Sequence, residues 1–351
     1  MVFRVGDDQR ELGQGIRAML AGQLPLERIR AGEGAERTIS ADDWSALGKT
    51  GVFALTLPEP AGTGLGLPDA AVVFEELGRA LVPGPLVGTF LAAAHELVPG
   101  AADGNALVDV CTSGGPPWLV EHLTSLDALL FLPADGLGGG RSLMTTIRAA
   151  PTARRVAAPL DPLTPMWQFS QLPAGEPLDD PDRRFFHDGG VLTAALQVGH
   201  ATETLELAVA YAKERHQFGK PIGSFQAVKH LCADMLVRAE VARAAVHWAA
   251  CLADAPDVLA AEADAADMTP FALLLRAVAG AKLLADEAAI ANARTAIQVF
   301  GGMGYTWEVP LHLHLKRSRV LATTFGTPTR LSSLLAGLVH PFDPARTEGS
   351  P

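Results

Sequence analysis

Apolar side chains recur at helical spacing near the start of the chain. They mark one face of three predicted helices, residues 10–24, 40–48 and 69–81. The segment LPEPAGTGLGLP before the third helix is interrupted by Pro and Gly, and Pro68 followed by Asp69 is a helix start signal. The pattern therefore predicts a helical domain over residues 1–104.

The middle of the chain, residues 105–190, follows a different pattern. Short apolar runs, ALLFLPA at 128–134 and SLMTTIRA at 142–149, stand among frequent Pro, Gly and Thr residues. Runs of this length between turn residues are typical of β-strands. We therefore expect a small β domain in this part of the chain.

Helical spacing returns from Leu192 onward. Long segments rich in Ala and Leu cover residues 192–216, 224–253, 270–300 and 328–339. Helices of these lengths suit a bundle, in which packing stabilises each helix. The sequence predicts a mainly α protein: an N-terminal helical domain, a small β domain, and a C-terminal four-helix bundle over residues 191–345.

The amino-acid composition limits the class of protein to which the chain can belong. With 351 residues, 48% of them hydrophobic, the chain can bury a large core and is not disordered. We expect no membrane segment, because no uncharged apolar run reaches ~18 residues, and MVFRVGDDQRELGQ lacks a signal peptide's apolar core. A net charge of -11 argues against nucleic-acid binding, which depends on Lys and Arg.

Cysteine and histidine are the residue types that invite a metal interpretation. Cys111, Cys232 and Cys251 lack metal-ligand spacing and cannot all pair with one another, which indicates a reducing cytoplasm. His312 and His314 alternate in PLHLHLKR, but no carboxylate or cysteine stands near them at ligand spacing. We therefore interpret both histidines as packing or partner contacts, and predict a cytoplasmic protein without a metal site.

Two turns between predicted helices carry the candidate chemistry. The run FGKPIG at 218–223 cannot continue a helix, because Pro221 lacks an amide hydrogen and the glycines tolerate left-handed backbone. Arg215 therefore stands at a helix end before a rigid turn, which suits binding of a phosphate or pyrophosphate. A second glycine turn, QVFGGMGY at 298–305, lets a ligand approach the backbone closely. Together the two turns predict a nucleotide site.

The chain resembles the acyl-CoA dehydrogenases in the order of its parts and in four stretches. These are GVFALTLPEPAGTGLGLPDAAVVFEELGRALVPGP, YAKERHQFGKPIGSFQAVKHLCADM, QVFGGMGYTWEVPLHLHLKR and FGTPTRL. The resemblance implies an FAD-dependent enzyme that introduces a 2,3 double bond into an acyl-CoA. It also implies reoxidation of the flavin by an electron-transferring flavoprotein.

The resemblance assigns FAD contacts by position. In the family, the R-x-x-F-G corner and the Gln-Gly-Gly corner reach across a dimer interface to FAD held mainly by the other subunit. The matching positions are Arg215, Gln217, Phe218, Ile222, Phe225, Gln226, Gln298, Gly301 and Gly302. A Gly-Thr near the C-terminus usually touches the subunit's own flavin, and Gly326 and Thr327 match it.

Two departures from the family pattern change this picture. The family's flavin-holding T-E-P-x-x-G-S-D strand has no counterpart in residues 109–136, and the β region is shortened. One branch of the family places its catalytic Glu immediately before the Gly-Thr, where this chain has Phe325, whose bulk predicts a plugged pocket. A second branch places the Glu on the helix after the R-x-x-F-G corner, and counting along this chain reaches Asp254.

Asp254 has two interpretations. As a catalytic base it is one methylene shorter than Glu, and a misplacement of about 1 Å costs about a hundredfold in rate. As a solvated acid it belongs to an acidic stretch that also holds Asp257, Glu262 and Asp264.

The resemblance extends to the short chains of heteromeric α2β2 acyl-CoA dehydrogenases from bacterial sterol and steroid breakdown. It implies that a longer partner chain supplies the flavin cradle and usually the base, while this chain completes the partner's FAD site. Two alternatives remain open: a self-sufficient homodimer that uses Asp254, or a purely structural subunit. A flavin monooxygenase of the same architecture is a remote third.

Overall fold

The computed structural model describes residues 5–112, 116–132, 142–146, 153–171, 174–180 and 183–338. Helices form both ends of this range. The N-terminal ones are α1 (Asp7–Gln23), α2 (Leu26–Arg30), α3 (Ala41–Lys49), α4 (Leu67–Arg79) and α5 (Leu86–Ala94). Three of them, α1, α3 and α4, are the three predicted from apolar spacing.

Local sequence explains where these helices start. The Ser40 side chain accepts a hydrogen bond from the backbone N–H of Asp43 and so caps α3. Pro68 lies in the first turn of α4, where its missing N–H costs nothing. Helix α5 was not predicted, because its sequence LVGTFLAAA is apolar on every side and therefore shows no helical period.

The predicted β domain is present as two small sheets. Its strands are β1 (Val108–Cys111), β2 (Trp118–Glu121), β3 (Ala128–Phe131), β4 (Leu143–Thr146), β5 (Arg154–Arg155), β6 (Met166–Phe169) and β7 (Glu176–Pro177). One sheet has the order β1-β3-β4-β7, with β1 and β3 parallel, and the other has the antiparallel order β2-β6-β5. Parts of both predicted runs, residues 133–134 and 147–149, lie outside the described residues.

Long helices complete the fold. They are α6 (Arg184–Glu214), α7 (Gln226–Asp254), α8 (Pro256–Ala265), α9 (Pro270–Phe300), α10 (Leu311–Leu321) and α11 (Pro328–Leu338). A tight hairpin of β8 (His216–Gln217) and β9 (Lys220–Pro221) joins α6 to α7. Within the described ranges no single helix could span a membrane; only α8 with the extended α9 passes by length and composition, across a 95° bend.

Helix α6 begins at Arg184, earlier than the predicted start at residue 192. Gly189 and Gly190, which precede the predicted start, lie inside the helix. A Cβ at Gly189 would lie 2.1 Å from the ring of Phe325, and one at Gly190 would lie 2.7 Å from Val278. These glycines therefore allow close packing, and α6 starts within the range predicted for the β domain. The predicted domain boundaries themselves remain predictions.

A continuous apolar core links the N-terminal helices, the β domain and the long helices. A second, smaller apolar cluster lies between α6, α7, α9 and α10. Its buried members are Leu205, Ala208, Ala212, Met235, Ala296, Val299 and Leu311. The second cluster packs beneath the two predicted corners and holds the helix ends that carry them.

Candidate cofactor-binding site

The two predicted corners lie side by side at one end of the bundle. The ring of Tyr211, one turn before Arg215, stacks on the ring of Phe300 with centroids 4.0 Å apart. Phe300 immediately precedes Gly301. The fold therefore brings together two turns that are about 80 residues apart in the sequence.

The backbone of the first corner is fixed by hydrogen bonds. The Arg215 N–H donates to the Tyr211 carbonyl at 2.8 Å, and the Arg215 carbonyl accepts from the Ile222 N–H at 2.7 Å. Phe218 and Gly219 form the hairpin tip with φ of 54° and 78°. Phe218 holds a left-handed conformation that is uncommon for an aromatic residue, and its side chain is 90% exposed. The fold thus presents this ring outward.

The Arg215 guanidinium is exposed and makes no ion pair or hydrogen bond with any other described residue. Exposed Lys213, Lys220 and Lys229 belong to the same corner, and the Lys220 Nζ lies 4.4 Å from the Phe225 ring centroid. Other arginines of this chain, such as Arg79 and Arg243, are bonded to carboxylates. A local group of cations in an acidic chain, with a free guanidinium, suits an anionic ligand.

The second corner leaves its backbone open. A Cβ added to Gly301 or Gly302 would meet no atom within 4 Å, whereas one on Gly304 would lie 2.5 Å from the Ile297 carbonyl oxygen. Gly304 is therefore required by internal packing. Gly301 also has a φ of 61°, but neither backbone strain nor packing in this chain explains Gly302. Such a glycine allows close approach by something outside the chain.

The other predicted contacts of the corners are placed at the same end. Gln217 lies in the hairpin strand β8, Ile222 begins a 3-10 turn, and Phe225 precedes α7. Gln226 and Gln298 are exposed on the first turn of α7 and the last turn of α9. Arg215, Gln298 and the open glycines can hold the adenine and pyrophosphate end of an FAD presented by another chain.

Thr327 lies elsewhere, at a cavity of about 400 Å³ between the β domain and the start of α11. Its lining includes Thr112, Glu121, Met166, Thr324, Gly326 and Thr327. No residue of either corner lines this cavity. In a single chain the predicted FAD contacts therefore fall into two separate places, as expected if the corners serve a second chain's cofactor.

Glu121 is a feature of this cavity that sequence reasoning missed. Burial raises the pKa of Glu121 to about 7, although the positive charge of Arg317 opposes the shift. Its neighbour Asp109 accepts a hydrogen bond from the Glu121 N–H at 2.9 Å, and burial raises the pKa of Asp109 as well. The available signal was an acid within the apolar run WLVEHL, which predicts a carboxylate on a buried strand.

Phe325 fills the position where the family resemblance expects a base. Its ring is buried, packs on Gly189, and makes an edge contact with Phe186 at 6.1 Å between centroids. Its backbone N–H donates to the Thr112 hydroxyl at 2.8 Å and its φ is 56°. The space between α6 and β1 is therefore occupied by an aromatic ring, which cannot take up a proton.

Asp254 ends α7, the helix whose first residue, Gln226, belongs to the corner. A helix of this length separates the two residues by about 42 Å. The Asp254 side chain is exposed and approaches the backbone of Gly66 at the start of α4. The structure thus places Asp254 far from its own chain's corners, and its catalytic role stays a prediction.

Helix α6 also carries a buried carboxyl that sequence reasoning missed. Asp188 directly precedes Gly189, and burial raises the pKa of Asp188 to about 7, with the charges of Asp254 and Asp180 adding to the shift. Its carboxylate lies 3.9 Å from the His95 Nε2 and 4.0 Å from the Arg184 Nε. A carboxyl with a pKa near neutrality can exchange a proton at physiological pH.

The two alternating histidines have different environments. His314 is buried with its Nδ1 3.0 Å from the Nδ1 of His200, and burial lowers the pKa of His314 to about 3. His312 instead packs edge-on against Trp307 with centroids 4.3 Å apart. Among the residues that the structure describes, no three His, Cys, Asp or Glu side chains are grouped as a metal site.

A groove of about 1250 Å³ lies between α1, α4, α6 and α7, and no predicted site residue lines it. Ion pairs cross its floor: Arg17 with Glu76 at 2.8 Å, Arg79 with Glu206 at 2.6 Å, and Arg243 with Glu75 at 2.7 Å. A hydrogen bond from Arg79 lowers the pKa of Glu206. These charges are already paired within the chain, so they offer a ligand less than the free Arg215 does.

Comparison with known proteins extends the likeness over most of the chain. Residues 6–101 match the family described as "Acyl-CoA dehydrogenase, N-terminal domain", and residues 183–336 match "Acyl-CoA dehydrogenase, C-terminal domain". Acyl-CoA dehydrogenase IpdE2 of Mycobacterium tuberculosis (strain ATCC 25618 / H37Rv) is 34% identical over 92% of this chain and 94% of its own.

Two further matches are a longer protein, of which only part matches this chain, and a solved structure. Acyl-CoA dehydrogenase FadE34 of the same organism is 35% identical over 93% of this chain, but the match covers only 47% of FadE34. A solved structure of a variant of the Tcur3481-Tcur3483 steroid ACAD superposes with a TM-score of 0.78 at 25% identity, covering 99% of this chain and 100% of that one. The predicted fold is confirmed, and FAD, the predicted cofactor, is the cofactor of this family.

Proposed function

The chain belongs to the acyl-CoA dehydrogenase family of CH–CH oxidoreductases, and on that premise we propose that it completes the FAD site of a longer partner chain. The assembled enzyme introduces a 2,3 double bond into an acyl-CoA. Bound FAD supplies the hydride acceptor for this oxidation. We further propose an α2β2 assembly in the cytoplasm that passes its electrons to an electron-transferring flavoprotein.

The observation that carries the proposal is the free Arg215 beside the open backbone of Gly302. Arg215 has no partner among the described residues, and nothing in this chain explains a glycine at position 302. An unpaired guanidinium and an open backbone fit a pyrophosphate supplied from outside. In this assignment Arg215 holds the phosphates, Gln298 contacts the adenine end, and Phe218 packs against the cofactor.

The region around Phe325 and Thr327 in this chain supports the same assignment of roles to the two chains. Phe325 fills the space where the family's base would stand, and the cavity beside Thr327 contains the buried carboxyl of Glu121. A partner chain must then provide the flavin cradle and the base. FadE34 gives related support, because more than half of that protein lies outside its match to this chain.

We propose an acyl-CoA of steroid origin as the substrate class. The support is the match to the structure described as a steroid ACAD, which extends over 99% of this chain. A bulky acyl group would lie mainly against the partner, since the ring of Phe325 occupies the corresponding space here. Turnover of the assembled enzyme with a steroid acyl-CoA and with butyryl-CoA would test this; equal rates would remove the support.

A self-sufficient homodimer is the second candidate, and one observation favours it. Asp188 is buried on α6 next to Gly189, on which Phe325 packs, and burial raises the pKa of Asp188 to about 7, with the charge of the predicted base Asp254 adding to the shift. In this alternative the isolated chain binds FAD and turns over an acyl-CoA. Loss of that turnover in Asp254→Asn or in Asp188→Asn would identify the base.

The deciding experiment is FAD stoichiometry, measured on the isolated chain and on its complex with a co-expressed longer acyl-CoA dehydrogenase chain. That chain should carry the T-E-P-x-x-G-S-D strand and a Glu before its Gly-Thr. We expect FAD only in the complex, at about one per pair of unlike chains. One FAD per isolated chain would favour the homodimer, and full FAD after replacing both Arg215 and Gln298 by Ala would favour a purely structural subunit.

A further inference from the structure

Each of the two corners is fixed by contacts within itself. In the first, the Ile222 N–H donates to the Arg215 carbonyl at 2.7 Å. A Cβ at Gly223 would lie 2.8 Å from a backbone carbonyl oxygen of α6, so the hairpin packs tightly on the end of that helix. In the second corner, the Thr306 N–H donates to the Met303 carbonyl at 3.0 Å. Each corner therefore keeps its shape without contacts from the other.

The link between the two corners is apolar. In the part of the chain that the structure describes, no hydrogen bond or ion pair joins residues 211–226 to residues 298–306. The corners are joined by packing over the second apolar cluster, in which Tyr211, Ile222 and Phe300 are partly buried. The spacing between the corners is therefore set by how these side chains fit together.

The stack of Tyr211 on Phe300 is the flat contact in this packing. Its ring planes are 11° apart and its centroids 4.0 Å apart, whereas the other ring pairs among the described residues meet at 33° to 85°. Two flat faces in contact fix the separation of the helix ends that carry them. The Tyr211 hydroxyl forms no hydrogen bond with another described residue, so the ring alone makes this contact.

Each ring is adjacent in the chain to a predicted cofactor contact. Tyr211 stands one turn before Arg215, and its carbonyl accepts the Arg215 N–H at 2.8 Å. Phe300 directly precedes Gly301 and follows Gln298 by two residues. A change in the separation of the rings therefore moves the guanidinium relative to the open backbone of the second corner.

A ligand that contacts both corners is sensitive to their separation. In the proposed function the pyrophosphate meets Arg215, while the adenine end meets Gln298 beside the open backbone of Gly302. Both contacts form together only when the corners have the spacing of the ligand. Corners that are already aligned also lower the ordering cost of binding.

We infer that Tyr211 and Phe300 are positioning residues for the partner chain's FAD, because their stack holds the corner of Arg215 and the corner of Gly301–Gly302 at the spacing that the cofactor requires. The inference rests on the proposed function, since it assigns a role within the same site. Neither ring needs to touch FAD for this role. Its consequence is an FAD affinity that depends on the stack only while Arg215 is present.

The test replaces each ring by leucine in the complex with the longer chain. Leucine is apolar and has a high helix propensity, so α6 and α9 stay folded, but it cannot stack. Tyr211→Leu and Phe300→Leu should each lower FAD affinity, measured by flavin fluorescence, about 3–10-fold, the size expected for one aromatic pair. Both changes together should add less than about twofold to the larger single effect, because either one removes the stack.

Tyr211→Phe is the conservative variant. It removes the hydroxyl and keeps both ring faces, so the complex should retain FAD affinity within about twofold of wild type. A loss as large as that in Tyr211→Leu would mean that the hydroxyl binds the cofactor directly, and the positioning role would be wrong.

Phe90→Leu is the matched control for stability. Phe90 on α5 is buried and meets Phe74 on α4 edge to face with centroids 5.4 Å apart, outside both corners. Phe90→Leu should lower the free energy of unfolding of the isolated chain at least as much as Tyr211→Leu does, and should leave FAD affinity unchanged. An equal loss of FAD affinity in both variants would make the stack a general stabiliser and overturn the inference.

A background of Arg215→Ala separates positioning from folding. Without the guanidinium the spacing of the corners no longer affects the phosphates, so adding Tyr211→Leu should lower FAD affinity by less than about twofold. The effect of Tyr211→Leu on the free energy of unfolding should be the same in both backgrounds. An undiminished loss of FAD affinity in the Arg215→Ala background would contradict the positioning role.

Failure of the proposed function would look different. Arg215→Ala would then leave the FAD content of the complex unchanged, whatever the two rings do. If Arg215→Ala weakened FAD binding while Tyr211→Leu and Phe300→Leu did not, the proposed function would stand and the positioning role alone would be wrong.

Discussion

The chain carries two regions that the family uses for flavin, and they differ in how far their own chain fills them. Around Phe325 the side chains are buried, and the ring packs on Gly189 and Phe186. The Arg215 side chain is exposed and has no ion pair or hydrogen bond among the described residues, and the neighbouring Gly302 faces open space. The filled region contributes to the stability of the chain, whereas the open region is built to contact something else.

The largest expected effect is a difference in the free energy of unfolding between Phe325→Ala and Phe218→Ala, which tests this comparison. Truncating the buried ring of Phe325 should lower the free energy of unfolding by about 3–5 kcal/mol, because it leaves a cavity against Gly189. Truncating the 90% exposed Phe218 should change that energy by less than about 0.5 kcal/mol. Chemical denaturation of the isolated chain measures both.

The FAD content of the complex should respond in the reverse order. Phe218→Ala should lower it, while Phe325→Ala should leave it unchanged in whatever protein remains folded. If Phe325→Ala instead allowed the isolated chain to bind acyl-CoA, the ring would be a plug over an otherwise usable pocket. Equal stability losses in the two variants would remove the distinction between the regions.

Arg215→Ala comes next in size. A charge-assisted hydrogen bond to phosphate contributes about 1.5–3 kcal/mol, so the complex should bind FAD about 10–100-fold more weakly. Arg215→Lys should recover part of this, because a lysine keeps the charge but not the planar fork. Flavin fluorescence during dilution of the complex gives the affinity.

Arg155→Ala is the control for that change, since Arg155 is an exposed arginine on the β domain. It should leave FAD affinity unchanged. A loss equal to that of Arg215→Ala would mean that general positive charge, and not the corner, holds the cofactor.

Much of the open region could be predicted from sequence because its determinants are local. Pro221 and the adjacent glycines end a helix by their own backbone chemistry, so Arg215 was placed at a corner without knowledge of the fold. The stacking of Tyr211 on Phe300, which joins the two corners, depends on packing between distant segments. The family resemblance supplied the pairing that local rules could not.

The filled region was harder to predict because its determinants are not local. Gly189 and Gly190 resemble a turn until the ring of Phe325 and the side chain of Val278 are placed against them. Helix α5 is apolar on all sides and therefore has no period to detect. The buried state of Glu121 likewise depends on strands and helices that meet only in the folded chain.

Glu121→Gln tests the filled region through its pH dependence. The pKa of Glu121 is raised by burial to about 7 from an ordinary value of 4.5, so folding favours the neutral carboxyl. Its contribution is therefore complete below about pH 4.5 and is lost as the pH rises through about 7, on the order of 3 kcal/mol. In Glu121→Gln the free energy of unfolding should therefore decrease less as the pH rises.

The measurement for Glu121 is urea unfolding of the isolated chain between pH 5 and 8. The variant should gain stability relative to wild type as the pH increases. The same gain in a control, Glu59→Gln at an exposed site with no such burial, would attribute the effect to net charge instead. If the free energy of unfolding changed with pH in the same way in wild type and Glu121→Gln, the raised pKa of Glu121 would be contradicted.

The smallest effect is expected from a single methyl group on the second corner. A Cβ at Gly302 meets no atom of this chain, so Gly302→Ala should leave the unfolding free energy within about 0.5 kcal/mol of wild type. In the complex the methyl would occupy space next to the cofactor and weaken FAD binding up to about tenfold. Gly304→Ala should do the opposite: its Cβ would lie 2.5 Å from the Ile297 carbonyl oxygen, so the isolated chain itself should lose stability. If Gly302→Ala left FAD affinity untouched, the open backbone would have no ligand, and the comparison between an open and a filled region would rest on Arg215 alone.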